Sequence, residues 1–169
     1  ENQVDFAMVS VLPDHLKINR VELMQNKLYL VGGMARKRPK RLSAVGILKE
    51  QPLIYREPGS ATRNAMEAFM EQKEIKNPRK LELTSNEALK QALIAGLGYS
   101  IMPLIGLKNE LKNKDLEIVP MRGLPVITHW NLIWQQSKKL SPTALAYLTY
   151  INSEKDRIIR ERFDWFEKY

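Results

Sequence analysis

Cysteine is absent from the 169 residues. That removes disulfides, a thiolate nucleophile and every metal site needing a Cys ligand, and it favours a reducing compartment, here the cytoplasm. Histidine is scarce as well: His15 and His129 stand far apart in sequence and in no metal-ligand spacing, so neither has the neighbours a metal centre or an acid–base pair requires. No apolar run approaches the roughly 20 residues of a membrane span, and the N-terminus lacks the basic-then-apolar pattern of a secretion signal. Because the first residue is Glu1 rather than Met, the chain is expected to be cut from a longer one.

The standard catalytic wordings are missing too. There is no Gly-rich phosphate loop ending in Lys-Ser or Lys-Thr, no G-x-G-x-x-G, no G-x-S-x-G elbow and no H-E-x-x-H. Gly96-Leu97-Gly98 ends a helix where a dinucleotide motif would start one, and Ser60 could act as a nucleophile only beside a His base. No catalytic residue, cofactor or metal is therefore expected.

What is present is a globular composition: 44% hydrophobic residues with 8 Gly and 9 Pro, enough for one good core or two small ones. The net charge of +8 would suit a nucleic-acid partner, and the densest basic run is Arg36-Lys37-Arg38-Pro39-Lys40-Arg41. No aromatic residues are interleaved there for base stacking, so it reads as a solvated loop in preference to a phosphate clamp. Direct binding through it would show a steep salt dependence.

Val4 to Val9 reads as a short, mostly buried strand. Arg20 to Met24 and Lys27 to Val31 alternate only partly and read as two strands or one bent one, closed by Gly32-Gly33. A short helix from Leu42 to Leu48 takes Ser43 as its cap. Pro52 to Tyr55 is the next strand; a Pro58-Gly59 turn hands it over to a helix from Ala61 to Gln72, which Asn77-Pro78 stops. The same unit repeats as a strand at Leu81 to Leu83, a turn at Thr84-Ser85 and a helix from Asn86 to Ala95. Ser85 is its N-cap and Glu87 sits in its first turn.

Tyr99 to Met102 is a strand stopped by Pro103, Leu107 to Asp115 a polar, Lys-rich helix end and exposed loop, and Leu116 to Val119 and Trp130 to Gln135 two further strands. Ser141-Pro142 opens the last helix, whose buried stripe is Ala144, Leu145, Leu148 and Ile151 or Asn152. Strands alternating with helices at this spacing give α/β architecture with parallel strands.

Hydroxyl and amide groups recur at the helix starts: Ser60 and Thr62 at one, Thr84, Ser85 and Asn86 at the next. Two helix N-termini on one parallel sheet open toward the same edge and could converge on one carboxylate or phosphate. Plain capping explains the same residues without any ligand.

The stretches from Pro52 to Arg63 (PLIYREPGSATR), Thr84 to Ala88 (TSNEA), Ala95 to Pro103 (AGLGYSIMP) and Leu140 to Pro142 (LSP) strongly resemble, in order and spacing, the effector-binding domain of LysR-type bacterial transcriptional regulators. The resemblance covers nearly the whole chain. It implies a type 2 periplasmic-binding-protein-like α/β fold, with two Rossmann-like subdomains joined by crossover strands and a small anionic effector in the cleft. Residues 12–102 would be the second subdomain, and 1–11 with 103–169 the remainder of the first. The hinge would fall at Ser10 and Val11 and at Met102 and Pro103.

Effector contacts would come from Gly59, Ser60 and Thr62, from Thr84 and Ser85 across the cleft, and from Ser10 at the crossover. Arg56 and Arg63 would be charge partners unless Glu57 already pairs with them. Two departures from the family pattern stand out: no winged helix-turn-helix is present to read DNA, and the opening strand-helix-strand-helix block of the first subdomain is missing. That should leave a sheet edge and apolar helix faces uncovered.

The wording from Arg56 to Arg63, Pro125 with Trp130, and the long charged tail look most like regulators of carbon-fixation operons, which respond to phosphorylated metabolites. The resemblance implies a homodimer or homotetramer that meets DNA only through the absent N-terminal domain. A transport-type solute-binding protein of the same fold is the alternative; a helix-turn-helix upstream in the gene would eliminate it.

Overall fold

The computed structural model describes residues 4–34 and 42–169. The basic run from Arg36 to Arg41 lies outside the described residues. In chain order the elements are β1 (Ala7–Val9), β2 (Ile18–Gly33), α1 (Ala44–Glu50), β3 (Leu53–Arg56), α2 (Ala61–Gln72), β4 (Lys80–Leu83), α3 (Asn86–Ile94), β5 (Tyr99–Pro103), α4 (Lys108–Asn113), β6 (Leu116–Ile118), β7 (Val126–Gln135) and α5 (Pro142–Phe163). One-turn 3-10 helices follow β5 (Leu104–Gly106) and α5 (Asp164–Lys168).

Two compact units result, a central one of Lys27–Ile127 and a terminal one of Glu1–Asn26 with Thr128–Tyr169. These compact units have other bounds than the expected subdomains, 12–102 and 1–11 with 103–169. Leu12 to Asn26 stays with the terminal unit because it bonds there: Gln136 N donates to Lys17 O (3.1 Å) and Asn26 Nδ2 to Thr128 Oγ1 (3.1 Å). Pro103 to Val119 stays with the central unit because Leu104, Leu107, Leu116 and Val119 are buried in its core. Ser10 and Val11 therefore lie inside the terminal unit, Met102 and Pro103 lie inside buried β5, and the chain passes between units at 26/27 and 127/128.

In the central unit the sheet runs from the end of β2 through β5 and β3 to β4, with β6 also on β2. β3 is parallel to both β4 and β5, whereas β2 is antiparallel to β5 and β6, so the parallel core carries an antiparallel margin. Successive residues point to opposite faces. Leu28, Leu30, Leu53, Tyr55 and Ile101 pack with Ile47 and Leu48 of α1 and Met66, Phe69 and Met70 of α2. Val31, Ile54 and Met102 pack with Leu89, Ala92 and Leu93 of α3. Cover on both faces explains why the inner strands β3 and β5 are buried almost throughout and read as nearly continuous apolar runs.

Capping fixes where the helices start. Ser43, Ser85 and Ser141 each accept a hydrogen bond from the amide three residues on, at 3.1, 3.0 and 3.1 Å. Replacing Ser85 by Ala should therefore cost about 1 kcal/mol of stability, read from a urea melt of the folded chain.

In the terminal unit β1 pairs antiparallel with β7, Met8 opposite Leu132. Expected to be mostly buried, β1 instead lies at the end of the strand order with Met8 57% exposed, since among the described residues a strand partner flanks it on one side alone. Leu145 likewise leaves the expected stripe of α5: Ala144 is buried and Leu148 and Ile151 are half-buried, but Leu145 sits 100° round from Ala144 and is 50% exposed. α5 runs on through its charged half, supported by Arg157 bonded to Glu154 (2.6 Å) and Glu161 (2.9 Å). No helix among the described residues is long and apolar enough to cross a membrane.

Candidate functional site

The site candidates gather at one edge of the central unit. Parallel pairing of β3 with β4, ending at Arg56 opposite Leu83, brings the turn after β3 and the turn after β4 to the same side of the sheet. Each turn opens a helix, and a helix start presents backbone N–H groups without intrahelical partners and the positive end of the helix dipole.

The first turn is built on Gly59, whose φ of +88° is a conformation that L side chains rarely adopt; a Cβ there would meet nothing within 4 Å. Ser60 N donates to Glu57 O (3.2 Å), closing the turn, and Ser60 O accepts from Asn64 N (3.0 Å), the first bond of α2. Ser60 stands at the N-cap, yet its hydroxyl makes no capping bond. The amides of Ala61, Thr62 and Arg63 precede the first helical bond, and the half-buried Thr62 adds a second hydroxyl beside them. The start of α2 thus lacks the side-chain cap bond that the start of α3 has. There Ser85 Oγ accepts from Ala88 N (3.0 Å) and is occupied as a cap, leaving exposed Thr84 as the uncommitted hydroxyl of that turn.

The two expected charge partners are already engaged. Arg56 donates from Nε and Nη2 to both oxygens of Glu57 (2.7 and 2.8 Å) and from Nη1 to Asn86 Oδ1. Arg63 donates from Nε to Glu67 Oε1 (2.9 Å), and from Nη1 to Glu82 Oε2 (2.6 Å) and Arg56 O (3.0 Å). Its guanidinium also stands 5.9 Å from the centre of the buried Tyr55 ring. The Arg56 hydrogen bond holds the Glu57 carboxyl below the ordinary carboxylate range, and the bond to Glu82 holds Arg63 above its ordinary value.

Gly59, Ser60, Thr62, Thr84, Ser85, Arg56 and Arg63 are thus brought to one edge of the central unit, while Ser10 belongs to the terminal unit. Sequence reasoning missed Glu67, Glu82 and Asn86 as the partners of the two arginines; only the i, i+4 spacing of Arg63 and Glu67 signalled one of them. It also missed that the terminal unit holds Asn26 Oδ1, Trp130 Nε1 and Asn131 Oδ1 buried without a hydrogen-bond partner. Among the described residues no group of three or more His, Cys, Asp or Glu could hold a metal ion.

A doubly covered sheet that gathers helix starts and hydroxyls at one edge makes this an α/β domain of the open-sheet class, in which strand ends are the usual place for small molecules. Residues 1–156 match the LysR substrate binding domain, and the chain belongs to that family.

Over 161 residues it is 35% identical to the HTH-type transcriptional activator CmpR of Synechocystis, the match covering 93% of this chain and 52% of that protein. It is 31% identical over 158 residues to the RuBisCO operon transcriptional regulator of Allochromatium vinosum, again covering 93% and 52%. The chain spans about half the length of these regulators. Among solved structures, the regulatory domain of Synechocystis PCC6803 CcmR in complex with 2-PG superposes with a TM-score of 0.81 at 26% identity, covering 91% of this chain and 74% of that one. The expected fold, periplasmic-binding-protein-like α/β of the LysR effector domains, and the expected kinship with carbon-fixation regulators both hold.

Proposed function

We propose that this chain is the effector-sensing part of a bacterial transcription regulator. It binds a small phosphorylated or carboxylated metabolite at the turn from Gly59 to Thr62 and performs no chemistry on it. The observation that carries this reading is the start of α2, where Ser60 and Thr62 add two hydroxyls to amides that no cap occupies. Gly59 keeps the approach open, and Thr84 and Ser85 are the neighbouring contacts. That the CcmR regulatory domain, similar in fold and sequence, was solved with 2-PG supports a phosphorylated two-carbon acid as the first ligand to try.

In the full-length protein, binding would act on a winged helix-turn-helix domain within a cytoplasmic homodimer or homotetramer. A near-complete switch requires the effector to favour one conformational state by roughly 5.5 kcal/mol.

The test is thermal shift and calorimetry of this chain against 2-phosphoglycolate and a panel of sugar phosphates and organic acids. Stabilisation should reach about 2.7 kcal/mol at a ligand concentration one hundred times Kd, with the ligand recovered unchanged. Ser60→Ala combined with Thr62→Val should weaken binding by about tenfold or more, the equivalent of one or two hydrogen bonds to a charged group. Failure of every anion in the panel to stabilise the chain would overturn the reading.

A further inference from the structure

Arg56 and Arg63 are the two cations closest in sequence to the proposed site, so their hydrogen bonds decide whether an anion can use their charge. Both side chains are largely buried, 16% and 18% exposed. Each ties together elements that are separate in the chain. Arg56, ending β3, reaches Glu57 in the turn and Asn86, the first residue of α3. Arg63, in the first turn of α2, reaches Glu82 in β4 and the carbonyl of Arg56 at the end of β3. Through these two side chains the starts of α2 and α3 are joined to each other and to both strand ends.

Charge balance argues the same way. Two guanidinium groups face three carboxylates, Glu57, Glu67 and Glu82, which leaves the cluster one negative charge in excess (2 − 3 = −1). An anion arriving at Ser60 and Thr62 therefore meets no surplus positive charge from either arginine. What attracts it is the set of amide dipoles and hydroxyls, whose value depends on their being held in one geometry. A guanidinium suits the holding role because its N–H groups point along fixed, different directions; a lysine ammonium concentrates its donors on one atom and cannot span the same partners.

We infer that Arg56 and Arg63 are positioning residues of the effector site: they set the first turn of α2 against the first turn of α3 and do not themselves pair with the effector. This rests on the effector reading given above, and it specifies how that site is held.

The test compares Arg63→Lys with Arg63→Gln, using 2-phosphoglycolate as the probe in calorimetry and amide chemical shifts of the labelled chain as a ligand-free readout. Both variants should bind about tenfold or more weakly than the parent and within about threefold of each other, because both lose the fork whether or not the charge is kept. The amide signals of Gly59 to Thr62 should move in both. Should Arg63→Lys keep the parent affinity while Arg63→Gln loses it, the arginine is a charge partner and the inference is overturned. A fall in melting temperature with affinity and amide shifts unchanged overturns it too, leaving only a structural role.

Asn86→Ala guards against misfolding of the Arg63 variants, since it removes one exposed partner and no buried side chain. It should move the Ser60 and Thr62 amide signals across the Arg56 link, and their standing still would overturn the inference. If the parent chain binds no 2-phosphoglycolate, that ligand assignment fails, while the response of Ser60 and Thr62 to Asn86→Ala still reports whether the clamp exists.

Discussion

Gly33→Ala is expected to cost the central unit about 3 kcal/mol or more, the upper range for forcing extra volume into a packed site. A Cβ on Gly33 would lie 2.0 Å from the carbonyl oxygen of Leu93 and 3.0 Å from its carbonyl carbon. Neither side can yield cheaply. Gly33 is the buried end of β2 and is paired with Leu116 of β6. Leu93 has no exposed surface, and its carbonyl accepts from Gly96 N (2.8 Å) at the end of α3, so moving that oxygen away breaks the helix terminus.

The substitution separates α3 from β2 and so weakens the packing of Leu89, Ala92 and Leu93 against Val31 and Met102. Gly106→Ala is the matched control: a Cβ there meets nothing within 4 Å, and the change should stay within about 0.5 kcal/mol. Urea melts of the two variants decide the matter, and equal stability would mean that the contact between β2 and α3 relaxes more freely than its geometry allows.

The pairing of Gly32 and Gly33 was legible in the sequence as a strand end, but the reason for the second glycine was not, because Leu93 lies 60 positions away (93 − 33). The same distinction between local and distant causes runs through the rest of the fold. Ser43, Ser85 and Ser141 could be read as caps because each bonds an amide three residues on. Leu107 to Asp115 reads as a helix end and an exposed loop, and the bounds of α4 within it have no cue: the helix has six residues and no side-chain cap. It ends at Lys114 in the left-handed conformation (φ 62°), where sequence patterns lead one to look for Gly or Asn.

The passages between the two compact units are hidden from sequence patterns for a related reason. Pro103 is a visible punctuation mark, whereas the passages at 26/27 and 127/128 fall inside the continuous strands β2 and β7 and so leave no turn residue to find.

At the candidate site, the turn was legible and its bracing was not. Pro58-Gly59-Ser60 announces a strand end and a helix start by local chemistry, since only Gly accepts the positive φ at that point without strain. Arg56 and Arg63 offered charge beside an anion-binding turn, and the local cues to a competing partner were Glu57 in the turn and Glu67 one helical turn beyond Arg63. The acceptors that commit them, Glu82 and Asn86, come from the following strand and helix, 19 and 30 positions on. The β3–β4 register brings them in, and no spacing rule within one helix would have found them.

Asn77→Asp changes one atom's identity and should cost about 3 to 5 kcal/mol at neutral pH, the range for leaving a buried charge uncompensated. Asn77 is 6% exposed, and its Nδ2 donates to two carbonyls at the end of α1, Leu48 O and Gln51 O, each at 2.7 Å. Its Oδ1 accepts from Arg79 N (2.7 Å). The aspartate side chain keeps the acceptor but sets a second carboxylate oxygen against two carbonyl oxygens, and the Arg79 guanidinium is already bonded to Glu50 O (3.0 Å).

In the Asn77→Asp variant the new carboxyl, when protonated, could still donate to one of those carbonyls, so the folded state should hold the proton more tightly than the unfolded chain. The sign follows: the folded pKa lies above the unfolded one, and the folded state binds more protons between the two. The penalty is therefore complete above the folded pKa and shrinks as pH falls through that window toward the ordinary aspartate range. Melts of parent and variant at about pH 7 and about pH 4, compared as differences, measure it. A pH-independent loss would show that the variant relieves its two carbonyls by moving the backbone, and that the link between the end of α1 and the start of β4 is looser than its three short bonds imply.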